Sequence, residues 1–205
     1  MQNTIHTLKY KPVFKINFLS ILAVFIFCDL IILEFNTCLP TNAASREGTR
    51  MDSQFTLFSL DFKAGQTIPK RYTADGSNVS PELSWTAIPS GSKSFALICE
   101  DPDAPAGTWI HWLVYDIPAN KTTLRQAIPA EATLKDQTKQ GINSFRHVGY
   151  GGPSPPPGPV HRYFFRLYAL NDMFGYESPM TLYKFRDFVQ KHKLAEAETM
   201  GTYGR

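Results

Sequence analysis

The chain has 205 residues, a formal net charge of +3 and 43% hydrophobic residues. Setting aside a candidate targeting segment leaves about 160 residues, one domain long enough for a proper core. Residues 1–43 hold three lysines against Asp29 and Glu34, so the remainder sits near +2, too mild to make nucleic acid a partner by bulk charge.

The N-terminus has the layout of an export signal. Lys9, Lys11 and Lys15 form a basic flank, and Ile16 to Cys28 is apolar apart from Asn17 and Ser20. Small residues at Thr41 and Ala43 allow cleavage after Ala43, giving a periplasmic or extracellular protein. Two alternatives stand beside this. The apolar region from Ile16 to Leu33 can remain as a short membrane anchor, although Asp29 inside it is costly. Translation can also start at Met51 and leave a cytoplasmic domain over residues 51–205. Cys28 and Cys38 belong to the leader. Cys99, alone in the run Phe95 to Cys99, reads as a buried small hydrophobe.

From Ser53 onward the pattern is mostly strand. Phe55 to Phe62 partly alternates, Thr73 to Pro81 is dense in turn formers, and Leu83-Ser84-Trp85 is a short strand. Ser94–Glu100, Trp109–Ile117 and Arg162–Leu170 are the strongest strands, rich in aromatic and β-branched residues. Residues 119–147 are polar with little periodicity and read as a long connection. Ser178-Pro179 resembles a helix cap and first position. Leu182, Phe185, Val189 and His192 follow at helical spacing as one packing stripe. Short strands between Gly/Pro turns with one late helix predict an all-β fold with peripheral helices, a sandwich or barrel.

Two segments carry the chemistry. Asp101 to Trp112 and Gly151 to Tyr163 are each a stiff Pro/Gly loop running into an aromatic strand that begins with a histidine. The two-residue strand period puts Trp109, His111, Leu113 and Tyr115 on one face, and His161, Tyr163, Phe165 and Leu167 on another. Two strand-leading histidines, an acidic pair and a phenol can line the mouth of one pocket. Plainer readings stand beside this. Asp101 and Asp103 also suit turn capping around Pro102 and Pro105, with Asp103 paired to Arg162. His6, His147 and His192 read as structural. Two aspartates and two histidines are chemically possible zinc ligands, but they lack a metal-site spacing motif. Imidazolium N–H groups, a tyrosine hydroxyl and backbone amides at a Gly-rich loop would instead hold a phosphate or carboxylate.

The Asp-Pro-Asp-Ala-Pro…Trp-x-His segment and the Gly-x-His-Arg-Tyr-like segment resemble the phosphatidylethanolamine-binding protein family, in its bacterial and archaeal Raf-kinase-inhibitor-like branch. Ile68 to Thr73 with Asp75-Gly76, Ser80-Pro81 with Leu83-Ser84-Trp85, and Glu196 to Tyr203 also fit. The resemblance implies a Greek-key sandwich of two antiparallel sheets, a C-terminal helix and a small anion-binding pocket. It assigns Asp101, His111, His161 and Tyr163 to that pocket, with Pro105 and the backbone near Gly152 at the rim; Asp103, the second member of the acidic pair, is counted with them as a ligand-binding candidate. The loop from Ser154 to Val160, with its extra prolines, departs from the family pattern.

Three function classes follow. The first is a non-enzymatic binding protein, without cofactor, for a small anion or phospholipid head group. The second, suggested by family relatives, is an inhibitory protein docking on a kinase or protease. The third is a hydrolase of small anionic esters using His111, His161 and Asp101. No strained Ser or Cys elbow supports nucleophilic catalysis.

Overall fold

The computed structural model describes residues 54–176 and 180–205. The targeting segment expected at 1–43 and the cap expected at Ser178-Pro179 lie outside those residues. Residues Thr49–Arg205 form one compact unit. Among the described residues no helix is long and apolar enough to cross a membrane.

Strands are named in chain order: β1 (Thr56–Ser59), β2 (Leu83–Thr86), β3 (Ser94–Asp101), β4 (Trp109–Pro118), β5 (Thr123–Leu124), β6 (Lys139–Gln140), β7 (His161–Leu170) and β8 (Lys193–Tyr203). The one α-helix among the described residues, α1 (Leu182–His192), precedes β8. Its cap is Thr181, whose hydroxyl accepts the Lys184 N–H. Two antiparallel sheets result, ordered β1-β2-β5 and β6-β4-β3-β7-β8. Between them lies a core that includes Leu57, Trp85, Phe95, Leu97, Trp112 and Phe165. A second cluster, with Ile98, Leu113, Tyr115, Phe185 and Val189, fills the space where α1 covers the larger sheet. The expected all-β sandwich with a helix near the C-terminus is thus the fold.

Three local expectations are corrected. The stretch after α1 was given no strand, yet β8 runs the full length of β7. Its alanines and glutamates favour helix locally and hide the alternation. Paired to β7, that alternation sends Ala197 and Thr199 inward and Glu196 and Glu198 outward to Arg166, which also binds Glu100.

The second correction concerns β4. Asp101 pairs with Trp109 and Glu100 with Ile110, but Cys99 pairs with Trp112, so His111 is an extra residue in the strand. This bulge reverses the side-chain parity beyond it. Trp112 and Val114 enter the inter-sheet core, while Leu113 and Tyr115 join the cluster under α1. His111 therefore does not share a face with Leu113 and Tyr115. On β7 no such shift occurs near His161, and His161, Tyr163, Phe165 and Leu167 are buried on one face as expected.

The third concerns residues 119–147, which contain β5 and β6 and are ordered by Gln140. Its buried amide accepts from Trp112 Nε1 at 2.7 Å and donates to the carbonyls of Pro129 and Glu131 at 2.7 and 2.8 Å. A polar connection is held by one core glutamine because its backbone groups need partners.

Candidate functional site

Asp101 ends β3 and His161 begins β7, and both are almost fully buried. Asp101 Oδ2 accepts a hydrogen bond from His161 Nδ1 at 2.8 Å, while Oδ1 accepts the Asp103 N–H at 2.8 Å. Asp101 therefore makes the turn bond weighed for it with one oxygen and holds His161 with the other. Because a carboxylate only accepts, Nδ1 of His161 carries the proton and Nε2 is left uncommitted.

His111 is held differently. Its Nδ1 donates to the Gly151 carbonyl at 2.6 Å, and the Gly151 N–H returns a bond to the His111 carbonyl at 2.9 Å. Its ring meets Tyr163 edge-on at 5.1 Å and Phe145 at 5.4 Å. Burial pushes its pKa below the ordinary histidine value. Burial thus favours the neutral form of His111, against the expectation of an imidazolium donor there. The bulge that places it depends on the facing loop, where Ser144 Oγ accepts the Ile110 N–H and the Ser144 N–H donates to the Ile110 carbonyl.

Around these groups lies a cavity of about 230 Å³, lined by Asp101, His111 and His161 at its polar end. Trp109, Phe145, Pro105, Pro155 and Pro156, with two alanines, form an apolar wall, and Ser154 completes the lining. None of the described lining residues is Lys or Arg.

The seven expected site residues are placed as follows. Asp101, Pro105, His111 and His161 line the cavity. Tyr163 lies behind His111, fully buried, with a hydroxyl that has no hydrogen-bond partner among the described residues. Burial, then the Asp101 charge, pushes that phenol's pKa well up, so it stays a neutral donor. Asp103 and Gly152 stand outside the lining. Asp103 takes two hydrogen bonds from the Arg162 guanidinium, at 2.7 and 2.9 Å, and one from the Arg162 backbone N–H. That partner holds its pKa at about 2. With Asp103 turned to Arg162, the two-Asp, two-His metal set does not converge. Among the described residues no three His, Cys, Asp or Glu side chains do.

Gly152 serves as a close-approach residue. Its N–H donates to Asn78 Oδ1 at 2.7 Å, and a Cβ there would meet the Tyr72 carbonyl oxygen at 2.5 Å. Its amide is committed to the loop and not to the cavity.

Sequence reasoning missed Phe145, which sits in the connection without periodicity and carries no local signal. Trp109 was noted only as a strand residue. Its indole N–H is buried without a partner among the described residues, beside the cavity. Of the prolines after Ser154, Pro155 and Pro156 line the cavity, while Pro157, Pro159 and the exposed Val160 stand outside the lining.

Comparison with known proteins agrees with this fold. A UPF0098 protein of Methanothermobacter thermautotrophicus is 46% identical over 138 residues, covering 67% of this chain and 91% of that one. The crystal structure of a phosphatidylethanolamine-binding protein homologue of Chlamydia trachomatis superposes with a TM-score of 0.67 at 36% identity, covering 74% of this chain and 97% of that one. YbcL of Escherichia coli, described as a member of the mammalian family, gives a TM-score of 0.67 at 32% identity over 75% of this chain and 99% of that one. The profile of the family described as phosphatidylethanolamine-binding protein matches residues 58–204. This chain belongs to the phosphatidylethanolamine-binding protein family.

Proposed function

We propose that this protein binds a small anionic ligand, a phosphate or phosphate-ester head group, in the cavity between Asp101 and the Ser154–Pro156 wall, and that it does so without turning the ligand over. The observation that carries this reading is the Asp101–His161 pair, whose Nδ1 is fixed and whose Nε2 is uncommitted. A second proton on His161 makes Nε2 a donor, and the Asp101 carboxylate balances the resulting charge. Trp109, in the cavity wall, and Tyr163, behind His111, each carry a buried donor without a partner among the described residues. Buried donors are normally satisfied, and a ligand oxygen in the cavity would satisfy the Trp109 indole N–H.

The apolar wall excludes water and strengthens the few charged contacts at the polar end. Occupancy also offers a route to a partner enzyme, since the exposed Pro156 and Pro157 edge the same wall.

Calorimetric titration with inorganic phosphate and with phosphoethanolamine, at about pH 6 and about pH 8, tests the reading. Binding that is tighter at the lower pH and takes up a proton supports it. No binding at either pH, or hydrolysis of phosphoethanolamine, overturns it.

A further inference from the structure

Arg205 lies just beyond β8, whose last residue, Tyr203, pairs with His161 across the strand register. Its guanidinium reaches two places at once. Nε and one terminal nitrogen take both oxygens of Asp75, at 2.9 and 2.6 Å, in a two-pronged pair. The same terminal nitrogen contacts Ser154 Oγ at 3.2 Å, and the other donates to the Pro155 carbonyl at 3.0 Å. Ser154 and Pro155 are wall residues of the cavity.

Asp75 is itself held. The Tyr203 hydroxyl donates to its Oδ2 at 2.8 Å, and with Arg205 it keeps the carboxylate's pKa at about 2. The neighbouring Ala74 N–H donates to the Pro153 carbonyl at 2.9 Å. Pro155 and Pro156 have no backbone N–H to bond with, so this segment can be fixed only through its carbonyls and through Ser154. Arg205 supplies two of those few ties.

We infer that Arg205, braced by Asp75, is a positioning residue that fixes the Ser154–Pro155 wall, and that this wall sets the preference of the cavity for anions carrying an apolar substituent. The inference about preference rests on the anion-binding reading above; the inference about the wall does not. His161, Asp101 and His111 keep their own hydrogen bonds without Arg205, so the polar end of the cavity is independent of it.

The test uses the full chain as wild type, Arg205→Ala, Arg205→Lys and Asp75→Asn. Each is titrated with inorganic phosphate and with phenyl phosphate, and Trp109 is read by iodide quenching. Trp85 and Trp112 are fully buried, so added quenching reports Trp109. Wild type is expected to prefer phenyl phosphate. In Arg205→Ala that preference falls about tenfold, the order of one apolar group's worth in a pocket, while phosphate affinity stays within about twofold. Trp109 quenching rises in the same variant. Arg205→Lys, lacking the fork, restores only part of the preference, and Asp75→Asn weakens it. An unchanged preference together with unchanged quenching in Arg205→Ala overturns the inference, as does an equal loss for both ligands. Should wild type bind neither anion, the ligand reading falls. Increased quenching in Arg205→Ala would then still sustain the wall, and unchanged quenching would remove it.

Discussion

His161 Nδ1 donates to Asp101 Oδ2 at 2.8 Å, joining the first residue of β7 to the last residue of β3 across 60 positions of sequence. The pair is buried, and it stands at the polar end of an otherwise apolar cavity. An imidazole held this way can turn only its Nε2 toward a ligand. The neighbouring His111 is tied to the Gly151 carbonyl and is pushed toward its neutral form by burial. The two histidines therefore do different work.

His161→Ala removes the donor proposed to meet the anion. Hydrogen bonds to charged groups contribute roughly 1.5–3 kcal/mol, so phosphate affinity should fall about 10- to 100-fold. Calorimetry reads this directly, and an affinity equal to wild type would remove His161 from the site.

Asp101→Asn replaces two acceptor oxygens by one. Either the His161 bond or the Asp103 N–H bond is lost, at about 1–3 kcal/mol of stability, and the balancing charge for His161 disappears. Phosphate affinity should weaken, while metal content and ester turnover stay the same as in wild type. Elemental analysis showing zinc in wild type alone would instead identify Asp101 as a ligand, and ester hydrolysis lost with Asp101 would make it part of a hydrolase.

Acid should destabilise the fold in two separate steps. Below about pH 6.5 the unfolded chain takes up a proton at His111 that the folded protein resists, so stability falls as pH is lowered through that range. Asp75 and Asp103, held at about 2 by Arg205 and Arg162, lose their contribution only below about pH 4. Urea midpoints between about pH 7.5 and about pH 5 should decline in wild type and stay flatter in His111→Gln. Parallel curves would show that His111 is not the group responsible.

Arg162→Ala separates Asp103 from the ligand site. The pair is half-exposed, with side-chain accessibilities of 52% and 27%, so its loss should barely change stability. Phosphate affinity should be unchanged. A marked drop would place Asp103 among the ligand-contacting groups after all.

Gly152→Ala forces a methyl group against the Tyr72 carbonyl oxygen and Thr73 Cα, both backbone atoms, as well as against the Asn78 side-chain oxygen. Overpacking of this kind costs about 1–3 kcal/mol, visible as a lower melting temperature. Unaltered stability would mean that the 72–78 loop moves freely against Gly152.

The strands β3, β4 and β7 and the two histidine-led junctions were legible because each signal is local. A run of Phe, Tyr, Val and Ile declares a strand, and Pro/Gly clusters declare its ends. The buried face of β7 was legible for the same reason, since the two-residue period held without interruption from His161 to Leu167. So too was the pairing of Asp103 with Arg162.

What the tertiary structure decided depends on partners far along the chain. The bulge at His111 exists because the 144–151 loop pairs with β4 there, and it sends Leu113 and Tyr115 to the opposite core. Phe145 becomes a cavity wall only once that loop is in place. The Ala/Glu-rich end becomes β8 because it pairs along the whole of β7, which also sets Arg166 beside its outward glutamates. The neutral form of His111 is favoured by its burial, which no neighbour in sequence reveals. Residue types and periods are properties of a segment. Register, depth and the distance between Arg205 and Pro155 are properties of the packed whole, since each is set by contacts between segments that the sequence keeps apart.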